Sequence, residues 1–230
     1  MRKINIAFLF YFLNLSTIHM SAQDQNSNLS VWADSKIGLE NLPINNGVMY
    51  VDFYILKDKN SQYLFDKKYE IGSVYYDEQI YDNLYINYDV YKDLLLLKTN
   101  GEQDLRAVSV IKNKTKNFFL SGKKFVNLDA LGFHEEEIKS KDVTLFTKHL
   151  KTKSEKIEKN YVVSEFVNRK QFLISYKNTF IKYSKNELLK IYPNFNSEIN
   201  NYYSENSRLE KTDEQQFVGN LLTYLESLSK

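Results

Sequence analysis

From Val31 to Tyr183 the chain is written as one short β-forming segment after another, each closed by a turn signal. No helical pattern of about 10 to 15 residues separates them, so parallel βαβ crossovers are excluded and an antiparallel sheet is expected. "MYVDFYIL", "QYLF", "YEIGSVYY" and "QIYDNLYINYDV" alternate or are rich in β-branched and aromatic residues. The unbroken run Leu94 to Leu97 suits a central strand covered on both faces. "LRAVSVI", the pair "KNFFL" and "KFVNL" around Gly122, then "VTLFTKHL", "NYVVSEFV", "QFLISY" and "NTFIKY" bring the run to about ten strands. Gly122 is placed to supply a positive φ to its turn.

After Tyr183 the period changes from two to 3.6. Ser184 followed by Glu187 forms a capping box, and Pro193 stops that helix. Phe195, Ile199 and Tyr202 share one helical face. A second capping box is expected at Thr212 and Gln215, ahead of a stripe of Phe217, Val218, Leu221, Leu222, Leu225 and Leu228. The expected fold is α+β and mostly β: an antiparallel meander curling into a barrel-like or folded sheet, with about three C-terminal helices packed on it. The expected boundaries are a signal peptide at 1–22, a flexible lead-in at 23–30, an antiparallel β region at 31–183, and a helical segment of the same domain at 184–230.

The signal assignment rests on Arg2 and Lys3 ahead of the apolar stretch Ile4 to Leu13, with small residues at Ser21 and Ala22. That stretch is too short to span a bilayer, so cleavage after Ala22 is expected and no integral membrane span thereafter. The expected location is outside the cytoplasm: periplasmic, outer-membrane-associated or secreted. There is no cysteine, which rules out disulfide stapling and a lipid-anchored start, so a core must hold the exported domain alone. The formal net charge is +2, and the signal carries two of the positive charges. A near-neutral mature surface gives no pull on nucleic acid. "KHLKTKSEKIEK", from Lys148 to Lys159, is interrupted by Glu155 and Glu158 and reads as a solvated edge or connection.

Tests for catalytic chemistry come out mostly negative. "GFHEEEI" places His134 beside three glutamates, but in a strand only His134 and Glu136 converge, which leaves a surface acidic patch rather than a metal site. "DKNSQ" lacks the glycine and glutamate of a calcium loop. "SGKK" has serine–lysine spacing but reads as a hairpin turn, without the companion motifs of penicillin-recognising enzymes. With seven glycines and no phosphate-loop pattern, nucleotide binding is unsupported and no cofactor is expected. Asp77, Asp82, Asp89 and Asp93 are the candidates for a glycosidase-like pair. Asp77 and Asp82 fall where turns are expected, and aspartate there serves local hydrogen bonding. Along the strand from Leu84 to Asp89, Leu84, Ile86 and Tyr88 form a core-like face, while Tyr85, Asn87 and Asp89 form a polar–aromatic one. Tyr85, Asn87, Asp89 and Asp93 are therefore the candidate ligand or partner face. The competing reading is plain sheet architecture, because cross-strand tyrosine pairs stabilise a half-exposed sheet by roughly 0.2–1 kcal/mol each with no ligand.

The stretch Gly72, Val74, Tyr76, Asp77, Gln79, Tyr81, Tyr88, Asp89 and Asp93, with the ending "NELLKIYPNFNSEINNYYSEN", resembles a pattern in small exported proteins of the Bacteroidota. The likeness runs over residues 32–228. It implies a compartment and a phylum, and it carries over no catalytic residue. The functional expectation is a non-catalytic binding or structural role in the cell envelope, through protein–protein contacts. The alternative is a glycan-binding or glycan-cleaving domain using the tyrosine–aspartate face. An outer-membrane barrel fits poorly, because many strands carry lysines on both faces and a capped helix closes the chain.

Overall fold

The structure, a computed structural model, describes residues 36, 38, 41–57, 60–99, 105–139, 143–177 and 179–229. The expected signal and lead-in lie outside these residues. The chain divides between Pro43 and Ile44 into two units. In the described part of the first, the Asn41 amide donates to the Gly38 carbonyl at 3.0 Å.

The second unit is an eleven-stranded antiparallel sheet. Its strands are β1 (Val48–Tyr50), β2 (Glu70–Tyr76), β3 (Gln79–Asp89), β4 (Leu94–Lys98), β5 (Ala107–Ser109), β6 (Thr115–Leu120), β7 (Lys123–Asn127), β8 (Phe133–Lys139), β9 (Val143–Glu158), β10 (Tyr161–Tyr176) and β11 (Thr179–Lys182). They lie in the order β1-β5-β4-β3-β2-β6-β7-β8-β9-β10-β11. From β6 onward the sheet is a pure meander; β2 to β5 run the other way, so β2 is the strand that joins both halves. β4 sits between β3 and β5 with Leu95, Leu96 and Leu97 all buried, as its unbroken apolar run requires. The hairpins β2–β3, β6–β7 and β9–β10 turn through Asp77–Glu78, Ser121–Gly122 and Lys159–Asn160, each pair with positive φ, the geometry that matches strand twist.

Several sequence readings are corrected. "NYVVSEFV" and "QFLISY" are one 16-residue strand, and the lysine-rich stretch after Lys148 is the outer half of β9 rather than a connection. Asp82 lies within β3; the left-handed residue beside it is Asn83. In "MYVDFYIL" only β1 forms a ladder. The chain then runs extended to a single parallel bridge between Leu56 and Ser164 of β10. The same segment thus touches β5 and β10, so the sheet curls without its ladder closing.

Four helices follow: α1 (Lys185–Ile191), α2 (Asn196–Glu205), α3 (Ser207–Thr212) and α4 (Glu214–Leu228). The Ser184 hydroxyl caps α1 by accepting from the Glu187 amide at 3.2 Å. The cap of α4 is Asp213, one residue after the expected Thr212, and it accepts from the Gln216 amide at 3.1 Å. Thr212 instead bonds back to the Arg208 carbonyl at 3.0 Å and ends α3. The helices cover one end of β9 and β10. Val143, Leu145, Phe172 and Ile174 pack with Leu188, Ile191, Ile199, Phe217, Val218, Leu221, Leu222 and Leu225. A second core lies within the curl, where Tyr88 packs against Phe118, Phe125 and Phe133 at ring distances of 5.5, 5.5 and 5.9 Å.

Candidate functional site

The four residues expected to share a ligand face are dispersed. Tyr85 is half-buried on β3, opposite Ile71. Asn87 and Asp89 point away from Tyr88, as the two-residue period requires, but their face is covered too: Asn87 is 3% exposed and Asp89 0%. The covering comes from residues remote in sequence. Tyr63 bridges to Asp89, the Leu64 amide donates to the Tyr88 carbonyl at 2.9 Å, and the Val90 amide to the Gln62 carbonyl at 3.1 Å. Asn87 is spent holding this segment, with Nδ2 donating to the carbonyls of Asp66 and Lys68 at 3.0 and 3.1 Å. The open polar–aromatic face expected at Asn87 and Asp89 is therefore an interior seam.

Asp89 accepts from the Tyr50 hydroxyl at 2.7 Å and from the Lys92 amide at 2.9 Å. Burial pushes its carboxyl above the usual range, and these donors only partly oppose that. Asp93 belongs to a different cluster. Tyr88 donates its hydroxyl to Asp93 Oδ1 at 2.5 Å, while Oδ2 is shared by Lys148 at 2.8 Å and by Lys112. Burial alone would raise Asp93, but the two ammonium groups and the tyrosine bond outweigh it and hold it below the usual carboxylate value. Asp93 thus supplies the partner that the buried Tyr88 hydroxyl requires. Gly132, at φ 80°, lies against the same carboxylate, where a Cβ would overlap it.

The acidic patch read from "GFHEEEI" is also mostly interior. His134 is buried with Nδ1 donating to the Gly132 carbonyl at 3.0 Å. Glu136 pairs with Lys124 at 2.9 Å. Glu135 is buried between Lys123 and His149 Nε2, the latter at 2.6 Å. Burial disfavours its charge, yet the bonds from His149 and Lys123 hold its carboxyl below the usual range.

Two surface features remain that the sequence reading missed. The first is a cleft of about 220 Å³ on the helix-bearing face of β9 and β10. Along β9, Leu145 and Thr147 lie toward the helices. Lys153, three same-face pairs beyond Thr147, faces the rings of Tyr54 and Tyr91 at 5.0 and 5.9 Å. Between these two covered stretches, the cross-strand pairs His149–Lys170 and Lys151–Asn168 share the same face, reached only by the segment around Ser61 to Phe65, and the cleft forms there. Leu64, Phe65 and Val90 give it an apolar wall; Lys123, His149, Lys151 and Lys170 give it a basic one; Leu150 and Arg169 border it from the alternate positions of the two strands; no carboxylate lines it. Lys170 donates to Gln215 in the first turn of α4. A shallower depression of about 350 Å³ at the β2–β3 turn carries both signs, with Asp77, Glu78 and Asp129 against Lys114 and Lys116.

The second feature is the extended segment after β1. Tyr50, Asp52 and Tyr54 face inward: Asp52 meets Lys67 at 2.9 Å, and Tyr54 packs edge-on against Phe166 at 5.2 Å. The alternate residues Met49, Val51, Phe53 and Ile55 are 67%, 47%, 75% and 51% exposed, an apolar stripe on the sheet's terminal strand and its continuation. Period-two alternation in "MYVDFYI" contains this stripe. Which side the core takes is decided by Asp89 and Phe166, far along the chain.

No protein-family model, no curated protein and no solved structure matches the chain. The resemblance to exported Bacteroidota proteins therefore stays an expectation, and the site is argued on geometry. No helix among the described residues is long and apolar enough to cross a membrane.

Proposed function

We propose that the protein is an exported cell-envelope component, periplasmic or attached to the outer membrane, with a non-catalytic binding role exercised on a second envelope protein. The observation that carries this reading is the stripe of Met49, Val51, Phe53 and Ile55. Four alternate apolar side chains on a terminal strand and its extended continuation are costly to leave in water, at roughly 25 cal/mol per Å². They are also an aggregation hazard unless a partner covers them. The signal-like start supports export. The glycan reading loses its geometry, because Asn87 and Asp89 are committed to internal bonds.

The test is capture of partners from crosslinked envelopes of the native cells, comparing wild type with Phe53→Asp. Phe53 is among the most exposed apolar residues, so the variant keeps the fold. A stoichiometric partner held by wild type and lost in Phe53→Asp is the expected result. Equal capture by both, or no stoichiometric partner, refutes the reading.

A further inference from the structure

The basic cleft is separate from the apolar stripe and carries its own inference. Of its four basic side chains, Lys123 and His149 already share Glu135. The other two, Lys151 and Lys170, make no ion pair among the described residues. Lys151 is 8% exposed, and among the described residues its one hydrogen bond is to the Ser61 carbonyl at 2.6 Å, which leaves two of its three N–H donors for a ligand. The Asp89 carboxylate acts on Lys151 only through space, a buried ammonium with no carboxylate in direct contact is costly, and an anion brought into the cleft offsets that cost. Lys151 and Lys170, neither in an ion pair, suit a dianion better than a single carboxylate. A phosphate monoester, carrying about −1.5 to −2 near neutral pH with three terminal oxygens, matches both the charge and the number of donors. The wall of Leu64, Phe65 and Val90 lies beside these cations and suits the organic part of such an ester.

From this geometry we infer that the cleft between β9, β10 and the start of α4 is a binding site for a phosphate monoester. Lys151 and Lys170 contact the phosphoryl oxygens, and the Leu64–Phe65–Val90 wall holds the group it is attached to.

The test is calorimetric titration of the full mature chain with glycerol 3-phosphate, alongside sedimentation with vesicles containing phosphatidic acid in phosphatidylcholine. Saturable binding of the soluble ester, weakening as salt is raised, is expected. Binding to the vesicles as well identifies a lipid headgroup as the source; binding to the soluble ester alone identifies a free metabolite. Lys151→Met and Lys170→Gln should each weaken binding roughly tenfold, the loss of one charge-assisted hydrogen bond. Lys170 is exposed, so its variant folds even if Lys151→Met does not. Absence of binding to both probes overturns the inference, as does wild-type affinity in Lys170→Gln together with any folded Lys151→Met. Neither result bears on the docking stripe, whose readout is protein capture by Phe53 variants.

Discussion

Asp93→Asn is the most informative single substitution in the sheet. Asp93 sits at φ 58°, a backbone conformation asparagine tolerates, so the exchange removes charge without backbone strain. The side chain of Lys148 is 9% exposed and that of Lys112 35%, and both converge on Asp93 Oδ2. Removing one partner of a buried ion pair costs about 3–5 kcal/mol, because the other charge is left uncompensated. Two features place this case at the lower end. Lys112 can turn to solvent, and the asparagine oxygen still accepts from Tyr88. The expected loss is about 3 kcal/mol, which at a urea m-value of about 2 kcal/mol/M lowers the unfolding midpoint by about 1.5 M. Circular dichroism at neutral pH reads this directly. The folded carboxyl is held below its unfolded value of about 3.9, so its stabilisation is present above that pH. It is lost as pH falls through the folded value. Wild type should therefore converge on Asp93→Asn in acid. Adding Lys148→Met to Asp93→Asn should recover most of the loss by replacing the stranded ammonium with an apolar chain. A midpoint for Asp93→Asn within about 0.5 M of wild type refutes the assignment. So does a double variant no better than the single one.

Other expectations follow from neighbouring sites. Burial pushes the His134 imidazole down to about 4, opposed only in part by its bond to the Gly132 carbonyl. The unfolded chain therefore binds more protons between pH 4 and 6.5, and stability should rise by about 3 kcal/mol across that window, a slope absent in His134→Gln. Gly132→Ala places a methyl group on the Asp93 carboxylate at a φ of 80° and should cost more than about 2 kcal/mol in urea unfolding. Leu221→Ala opens the helix–sheet core, where Leu221 is fully buried, and should cost about 2–5 kcal/mol. Tyr85→Ala should leave partner capture unchanged, because the polar groups expected beside it are turned into the seam under residues 62–64.

How far the sequence predicts this molecule depends on whether the deciding partner is near or far along the chain. The hairpin at Gly122, the central Leu94–Leu97 strand and the Ser184 cap depend on residues within a few positions of one another, and all appear as read. The shift of the second cap to Asp213 is equally local: Thr212 and Asp213 compete, and the helix starts where the carboxylate accepts from Gln216. The site fared differently. Alternation correctly separates Tyr88 from Asn87 and Asp89, yet says only that they lie on opposite faces. Both faces being interior depends on Phe118, Phe125 and Phe133 on one side and on Tyr50, Gln62 and Tyr63 on the other.

The same reasoning explains why the basic cleft escaped notice. Lys148, Lys151 and Lys153 look alike in a lysine-rich stretch with interspersed glutamates, which is the pattern of a solvated edge, and Lys170 on the next strand carries no signal of its own. Their fates diverge only when the layers arrive. Lys148 is taken by Asp93, Lys153 lies over Tyr54 and Tyr91 beside Glu155, and Lys151 and Lys170 fall in the gap between the helices and the Tyr54–Tyr91 layer, where neither forms an ion pair among the described residues. The gap exists because the two coverings come from opposite ends of the chain and meet β9 and β10 at different heights. A cation placed in that mismatch differs from its neighbours in nothing the sequence records, and its lack of a paired carboxylate is the physical reason to look for an anion there.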